Sequence, residues 1–377
     1  MMFVDAHKSS HNHGAKNTTL WQTLHIDVPL LVVILLLCIV GLFILYSASN
    51  QNMRMVQYQA LHVGAAFALM IFIAQIPPLS LQRWAPALYV LGLLLLIAVL
   101  ITGHVGKGAQ RWLGLGFFRF QPAELMKLAL PMGLAWYFHK VHLPIHLKNM
   151  GLAIPLLLLP VLLTAKQPDL STAILLFIAG SSVLFLAGLS WRFITATIGI
   201  IIVCAPAAWF MLHSYQRQRV ITFFNPERDP LGAGYHIIQS KIAIGSGGIF
   251  GKGWLQGTQS HLQFLPEHTT DFIFSLCGEE LGFIGCFMII SLYLLIVARG
   301  FYITLYAQDT FSRLVAGSIT LSFFISFFIN IGMVTGVLPV MGIPLPLISY
   351  GGSSMMTLMA SFGILMSIQT HKRLITT

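Results

Sequence analysis

Apolar runs close to the ~20 residues that cross ~30 Å of hydrocarbon recur about ten times, each bounded by Gly, Pro or charged residues. The pattern predicts helices over about 28–48, 58–76, 84–102, 122–139, 150–165, 170–189, 193–212, 272–298, 311–335 and 347–369. Two longer polar segments interrupt it, 103–121 and 213–270. A polar tail, 1–27, carries His7, Lys8, His11, His13 and Lys16 and precedes the first run. With no small-residue cleavage site behind it, that run reads as a retained helix rather than a signal peptide.

Composition agrees with the pattern. At 56% hydrophobic and 8% charged residues, with mean hydropathy +0.82, the chain lies far from the globular norm of about a quarter charged. One all-α polytopic membrane domain over 1–377 is expected, with no nucleic-acid partner. Cys38, Cys204, Cys277 and Cys286 all fall in apolar runs and offer neither a disulfide framework nor a metal spacing. Ten of the 21 Lys and Arg residues fall on one set of turns: Lys8, Lys16, Arg83, Lys140, Lys148, Arg192, Arg299, Arg313, Lys372 and Arg373. By the positive-inside rule both termini are cytoplasmic.

Segments 103–121 and 213–270 are then extracytoplasmic. The first carries Lys107, Arg111 and Arg119 without an acid. Basic charge on the side that topology disfavours points to an anionic partner. Glycines at 103, 106, 108, 114 and 116 exclude a regular helix, and Trp112, Phe117, Phe118 and Phe120 suit the membrane interface, so the segment is expected to re-enter or lie flat. Pro122 opens the next helix, where its missing N–H is harmless. Glu124 and Lys127 share a face one turn further in, as a packing lock, a part of the site, or both. In the turn AKQPDLSTA, Asp169 is read first as a helix cap, with Lys166 nearby.

The long insertion places Arg217 and Arg219 where they could meet lipid phosphates. Its AIGSGGIFGKG stretch lacks the spacing of a phosphate-binding loop, because Ser246 precedes and Gly253 follows the Gly251–Lys252 pair. Residues 234–244 instead suit a short interfacial helix closed by Gly245. Prolines 339, 344 and 346 stiffen the last turn, and Gly351 to Ser354 allow close helix approach. His139, His142 and His146, flanked by Lys140 and Lys148, read as a basic turn rather than a metal site.

Acid is concentrated between Leu262 and Gly285, where Glu267, Asp271, Glu279 and Glu280 account for four of eleven carboxylates. Asp271 stands where a polar loop becomes a helix, a position for a general base or equally for a first-turn residue that stabilises the helix dipole. Glu267 reads as a loop residue near the entrance. Adjacent helical residues point ~100° apart, so at most one of Glu279 and Glu280 is expected to face the Asp271 cavity. No carboxylate falls at mid-span, which favours catalysis at the headgroup plane over ion-coupled transport.

The stretches GAQRWLGLGFFRFQPAELMK at 108–127, QPDLSTA at 167–173, AIGSGGIFGKG at 243–253, FLPEHTTDFIFSLCGEELGFIG at 264–285 and PLPLISYGGSS at 344–354 resemble the SEDS family of shape, elongation, division and sporulation proteins. The Gln110–Trp112 form and the VLPVMGIPLPLISYGG turn are more similar to the elongation branch than to the division branch. Ala123, Ser171 and the His268–Thr269 pair depart from the usual motifs by small changes that leave Asp271 in register. The resemblance implies ten spans and an inverting glycosyltransferase at the outer face of the bacterial inner membrane, polymerising lipid II. It implies Asp271 as the essential carboxylate, with Trp112, Glu124 and Lys127 at functionally important positions. A pyrophosphate leaving group needs positive charge, which Lys107, Arg111, Arg119, Arg217 or Arg219 could supply. Mg or Mn could share that role, although no carboxylate spacing here predicts a metal site. The implied partners are a class B penicillin-binding transpeptidase, the nascent glycan strand and other elongation-complex proteins. A lipid II flippase and a non-catalytic scaffold stand as alternatives.

Overall fold

The computed structural model describes residues 24–106, 109–115, 118–141, 143–145, 149–211, 214–225, 233–261 and 267–372. The N-terminal tail before residue 24, Lys107, His142, His146, Lys148 and Arg373 lie outside them. The first seven helices are α1 (Val28–Ala48), α2 (Met53–Ala74), α3 (Pro78–Thr102), α4 (Pro122–Phe138), α5 (Met150–Lys166), α6 (Leu170–Leu186) and α7 (Trp191–Met211). The insertion adds α8 (Ser214–Phe224), α9 (Ala233–Gly247) and α10 (Thr258–His261). The chain closes with α11 (Ile273–Leu305), α12 (Thr310–Val334) and α13 (Ser353–Thr370).

Each predicted apolar run is thus a helix, with ends shifted by a few residues. The largest shifts extend α11 to Leu305, advance the start of α3 to Pro78 and delay α13 to Ser353, the last because 347–352 belong to the preceding turn. Among the described residues α1, α2, α3, α11 and α12 are long and apolar enough to cross a membrane, and α5 and α6 are shorter apolar helices. Polar residues set the starts. Asp27 accepts from Leu30 N (3.0 Å), and Asp309 from Ser312 N (2.8 Å), each satisfying an N–H that the first turn leaves free. Pro122 occupies the first position of α4, as expected.

α4 packs against α3, α5, α6, α12 and α13, and α12 against α6 and α11, so α4 and α12 are central, while α2 lies against α13 and α1 against α11. At one end the first and last described segments meet. His25 stacks on His371 with ring centroids 3.7 Å apart, and Arg299 forms an ion pair with Asp27 at 2.6 Å. At the other end lie the 103–121 segment, the 167–169 turn, the insertion and the 335–352 turn.

Two local structures differ from the sequence expectation. Segment 103–121 forms an antiparallel three-stranded meander, β1 (His104–Gly106), β2 (Ala109–Leu115) and β3 (Phe118–Phe120), with β2 in the middle. In β2 the side chains alternate between faces, so regular strands occur in a segment expected only to re-enter or lie flat. The helix expected over 234–244 is α9, but it runs to Gly247 and ends at Gly248, whose φ is +58°; Gly245 is helical. It does not lie free at an interface. Ile237, Ser240 and Ala243 are buried against α11 and α12, and Ser240 Oγ donates to Val334 O at 2.6 Å.

α11 itself is broken. Gly282 has φ +66° and ψ −163° inside an otherwise helical run. The freed backbone groups pair with the Gly-rich stretch: Lys252 N donates to Glu279 O (3.0 Å), Gly253 N to Glu280 O (3.1 Å), Phe283 N to Gly248 O (3.0 Å) and Ile284 N to Ile249 O (3.1 Å). The approach is close enough that a Cβ on Gly251 would sit 2.1 Å from Glu280 O. The stretch that superficially resembled a phosphate loop is therefore a backbone splint on a kinked helix.

Candidate functional site

A cavity of about 690 Å³ opens at the loop-rich end of the bundle, walled by β2, the start of α4 and α6, α9, the 267–272 turn and the 339–344 turn. Its ionisable lining comprises Arg111, Glu124, Lys127, Asp169, His236, Glu267 and Asp271. A smaller pocket of about 110 Å³ continues from it between α4, α6, α12 and α13, with Glu124 and Lys127 lining both.

Asp271 reaches this cavity from a tight turn. Glu267, at φ +55°, lets Thr270 N and Phe272 N both donate back to its carbonyl, at 3.0 and 3.3 Å, and Thr270 Oγ1 donates to its carboxylate at 2.8 Å. The N-cap of α11 is Phe272, with no side-chain cap bond and no acid in the first turn. Asp271 stands one residue before that cap, outside the first turn. Its carboxylate projects toward Gly342, where an added Cβ would lie 3.4 Å from Oδ2.

Glu124 is buried and accepts from Lys127 Nζ at 2.6 Å, one turn along α4. Asp169 caps α6 through Thr172 N (3.2 Å), as expected, but it also faces Arg111 Nε at 3.5 Å and accepts from Gln121 Nε2 at 3.1 Å. Lys166 is not its partner. Period-2 alternation in β2 delivers Arg111 to the cavity; Trp112 does not line it and sits opposite His104 in the sheet. Lys127 is thus directed by a hydrogen bond to a buried carboxylate, whereas Arg111 meets the buried Asp169 as an ion pair at 3.5 Å and its Nε makes no hydrogen bond.

Glu279 and Glu280 agree with the expectation that at most one faces the cavity, because neither lines it. Glu279, at 0% exposure, pairs with Lys252 Nζ (2.7 Å) and accepts from Thr258 Oγ1 (3.0 Å) and Gln259 N (3.1 Å). Glu280 accepts from Ser47 Oγ on α1 (2.6 Å) and from Gly257 N (3.3 Å). Both carboxylates latch the 247–261 segment to α11, so their role is support. Arg217 donates to Phe210 O at 2.6 Å and is absent from the described wall. Lys107 and the side chains of Arg119 and Arg219 lie outside the described residues. Among the described residues no three His, Cys, Asp or Glu side chains gather into a metal cluster, so they form no cage for Mg or Mn.

Three residues of the site escaped sequence reasoning. His236 enters the wall from α9 with its ring stacked on Phe272 at 5.8 Å. Gln121 braces Asp169. Asn330 of α12, fully buried in an apolar helix, donates to Asp271 O at 2.8 Å and Ile343 O at 2.7 Å. An amide inside an apolar run was the available signal.

The geometry coincides with known proteins over most of the chain. The family model of FtsW/RodA/SpoVE cell cycle proteins matches residues 28–374. Peptidoglycan glycosyltransferase MrdB of Escherichia coli K12 is 50% identical over 358 residues, 95% of this chain and 97% of that protein. A probable peptidoglycan glycosyltransferase FtsW of Trichlorobacter lovleyi is 38% identical over 92% of this chain and 94% of its own. Among solved structures, a chain from a peptidoglycan synthase complex that coordinates polymerization and crosslinking superposes with TM-score 0.80 and 34% identity, covering 91% of this chain and 97% of that chain. The rod shape determining protein RodA of Thermus thermophilus superposes with TM-score 0.70 and 28% identity, covering 91% and 96%. The chain belongs to the FtsW/RodA/SpoVE family of cell cycle proteins, the SEDS family that its motifs resemble.

Proposed function

We propose that this protein is a peptidoglycan glycosyltransferase that polymerises lipid II into glycan strands during cell elongation, with Asp271 as general base. The observation that carries the reading is the placement of Asp271 in a 690 Å³ cavity that also holds the cations Lys127 and Arg111. A bound acceptor sugar gives its 4-hydroxyl proton to the Asp271 carboxylate as the oxygen attacks the donor's anomeric carbon. The new C–O bond forms as the bond to the pyrophosphate breaks, inverting that carbon. Lys127 and Arg111 meet charge that grows on the leaving oxygens, the step where fixed charge contributes most.

The Lys and Arg residues gathered on one set of turns support ten spans with both termini cytoplasmic and the cavity at the outer face of the inner membrane. The 34% identity to a chain of a synthase complex supports a crosslinking transpeptidase as partner. The test is the purified protein with lipid II: glycan polymer must appear with release of polyprenyl pyrophosphate. Movement of lipid II across proteoliposomes without polymer would instead identify a flippase.

A further inference from the structure

We propose that Asn330 and Ser349 are positioning residues that aim Asp271, forming a clamp on its backbone from the C-terminal third of the chain. The inference rests on the reading of Asp271 as the reacting carboxylate. Three consecutive carbonyls of the Asp271 turn are each held by a different donor. Tyr350 N donates to Thr269 O at 3.0 Å, Ser349 Oγ to Thr270 O at 2.6 Å and Asn330 Nδ2 to Asp271 O at 2.8 Å.

The clamp is itself anchored. Asn330 has two amide hydrogens, and the second goes to Ile343 O at 2.7 Å, so one side chain joins the Asp271 turn to the turn that carries Gly342 past the carboxylate. Ser349 Oγ also accepts from Leu345 N at 2.8 Å. Behind it, buried Gln59 of α2 accepts from Gly351 N at 3.2 Å and donates to Ser349 O at 3.4 Å. Asp271 precedes its helix and has no helical ladder on its N-terminal side to orient it. The hydrogen bonds to these three carbonyls set the peptide planes around its Cα, and so the direction of its Cβ.

The chemistry of Asn330 supports a role beyond packing. It is 0% exposed, and its Oδ1 accepts no hydrogen bond among the described residues. An unsatisfied buried amide oxygen is destabilising, and an apolar side chain of similar volume would suit an α12 position among Phe327 and Ile329 better. What the amide supplies, and no apolar residue does, is the pair of donors to the Asp271 turn.

Misplacing a reacting group by about 1 Å costs up to about 10²-fold in rate. The experiment measures steady-state polymerisation of lipid II by the full chain, purified with any co-purifying transpeptidase, for Ser349→Ala, Ser349→Thr and Asn330→Leu beside wild type and Asp271→Asn. Ser349→Ala and Asn330→Leu are expected to lower kcat about tenfold or more while KM for lipid II stays within about twofold. Ser349→Thr, which keeps the hydroxyl, is expected to retain most of the rate. Wild-type kcat in Ser349→Ala overturns the proposal, as does a raised KM with kcat intact. If Asn330→Leu does not fold, Ser349→Ala and its rescue by Ser349→Thr decide alone. A fully active Asp271→Asn protein overturns the reading of Asp271 itself, an outcome separate from that of the clamp.

Discussion

Asp169 serves two structures with one carboxylate. Oδ1 caps α6 and Oδ2 faces Arg111 and Gln121. Asn is as good a cap as Asp, whereas Ala loses about 1 kcal/mol. Asp169→Asn is therefore expected to keep the thermal stability of wild type but to raise KM for lipid II, because Arg111 loses its charged partner. Asp169→Ala is expected to impair both, and comparing melting curves with kinetics for the two variants checks the division of labour. Lys127 differs, because among the described residues it is the cation that hydrogen-bonds the buried Glu124. Lys127→Met strands that carboxylate, a change that costs on the order of 3 kcal/mol in buried pairs. Lowered polymerisation together with a lowered melting temperature is expected, and partial recovery of stability, not of activity, in Lys127→Met/Glu124→Gln.

At the scale of elements, the broken α11 explains why residues far from the chemistry matter. The splint of 248–253 on 279–284 and the carboxylate latches of Glu279 and Glu280 hold α9 and α10 beside α11, the helix that follows Asp271. A Cβ on Gly282 would lie 2.2 Å from Gly251 N at a positive φ, so Gly282→Ala is expected to cost more than the 1–3 kcal/mol of backbone strain alone. Scanning calorimetry in detergent reads it as a melting temperature lowered by several degrees. None of this was visible in the sequence, since GEELGFIG reads as a continuous helical run and backbone-to-backbone pairing leaves no side-chain signature. The long helices were legible because each coincides with an apolar run bounded by Gly, Pro or charged residues. The β-meander was not, because its glycines and aromatics match a flat interfacial loop equally well. At the site, the motifs marked Asp271, Glu124 and Lys127, which line one cavity, while the sequence allowed at most one of Glu279 and Glu280 to face it and could not show that neither does, because proximity to Asp271 says nothing about which side of a kinked helix they face.

Across the whole molecule, the end of the bundle opposite the cavity is closed by contacts between the first and last segments. His25, in a left-handed backbone position, stacks on His371, and burial together with the neighbouring His371 holds its pKa below the ordinary 6.5. The folded state favours the neutral ring. The stability this contributes is full above pH 6.5 and is lost as pH falls from 6.5 through the lowered folded value. A melting temperature that declines from pH 7.5 to pH 5.5 is expected, with a shallower decline in His25→Asn, whose side chain tolerates the left-handed backbone.

The central claim is that one carboxylate, Asp271, carries the chemistry of a cavity assembled from every third of the chain. Its most direct measurement is the rate of glycan polymerisation from lipid II by purified wild-type and Asp271→Asn proteins with matched melting curves. A loss of about 10²–10⁴-fold, the scale of a general base, is expected with the fold intact. Polymerisation at the wild-type rate by the folded variant would contradict it.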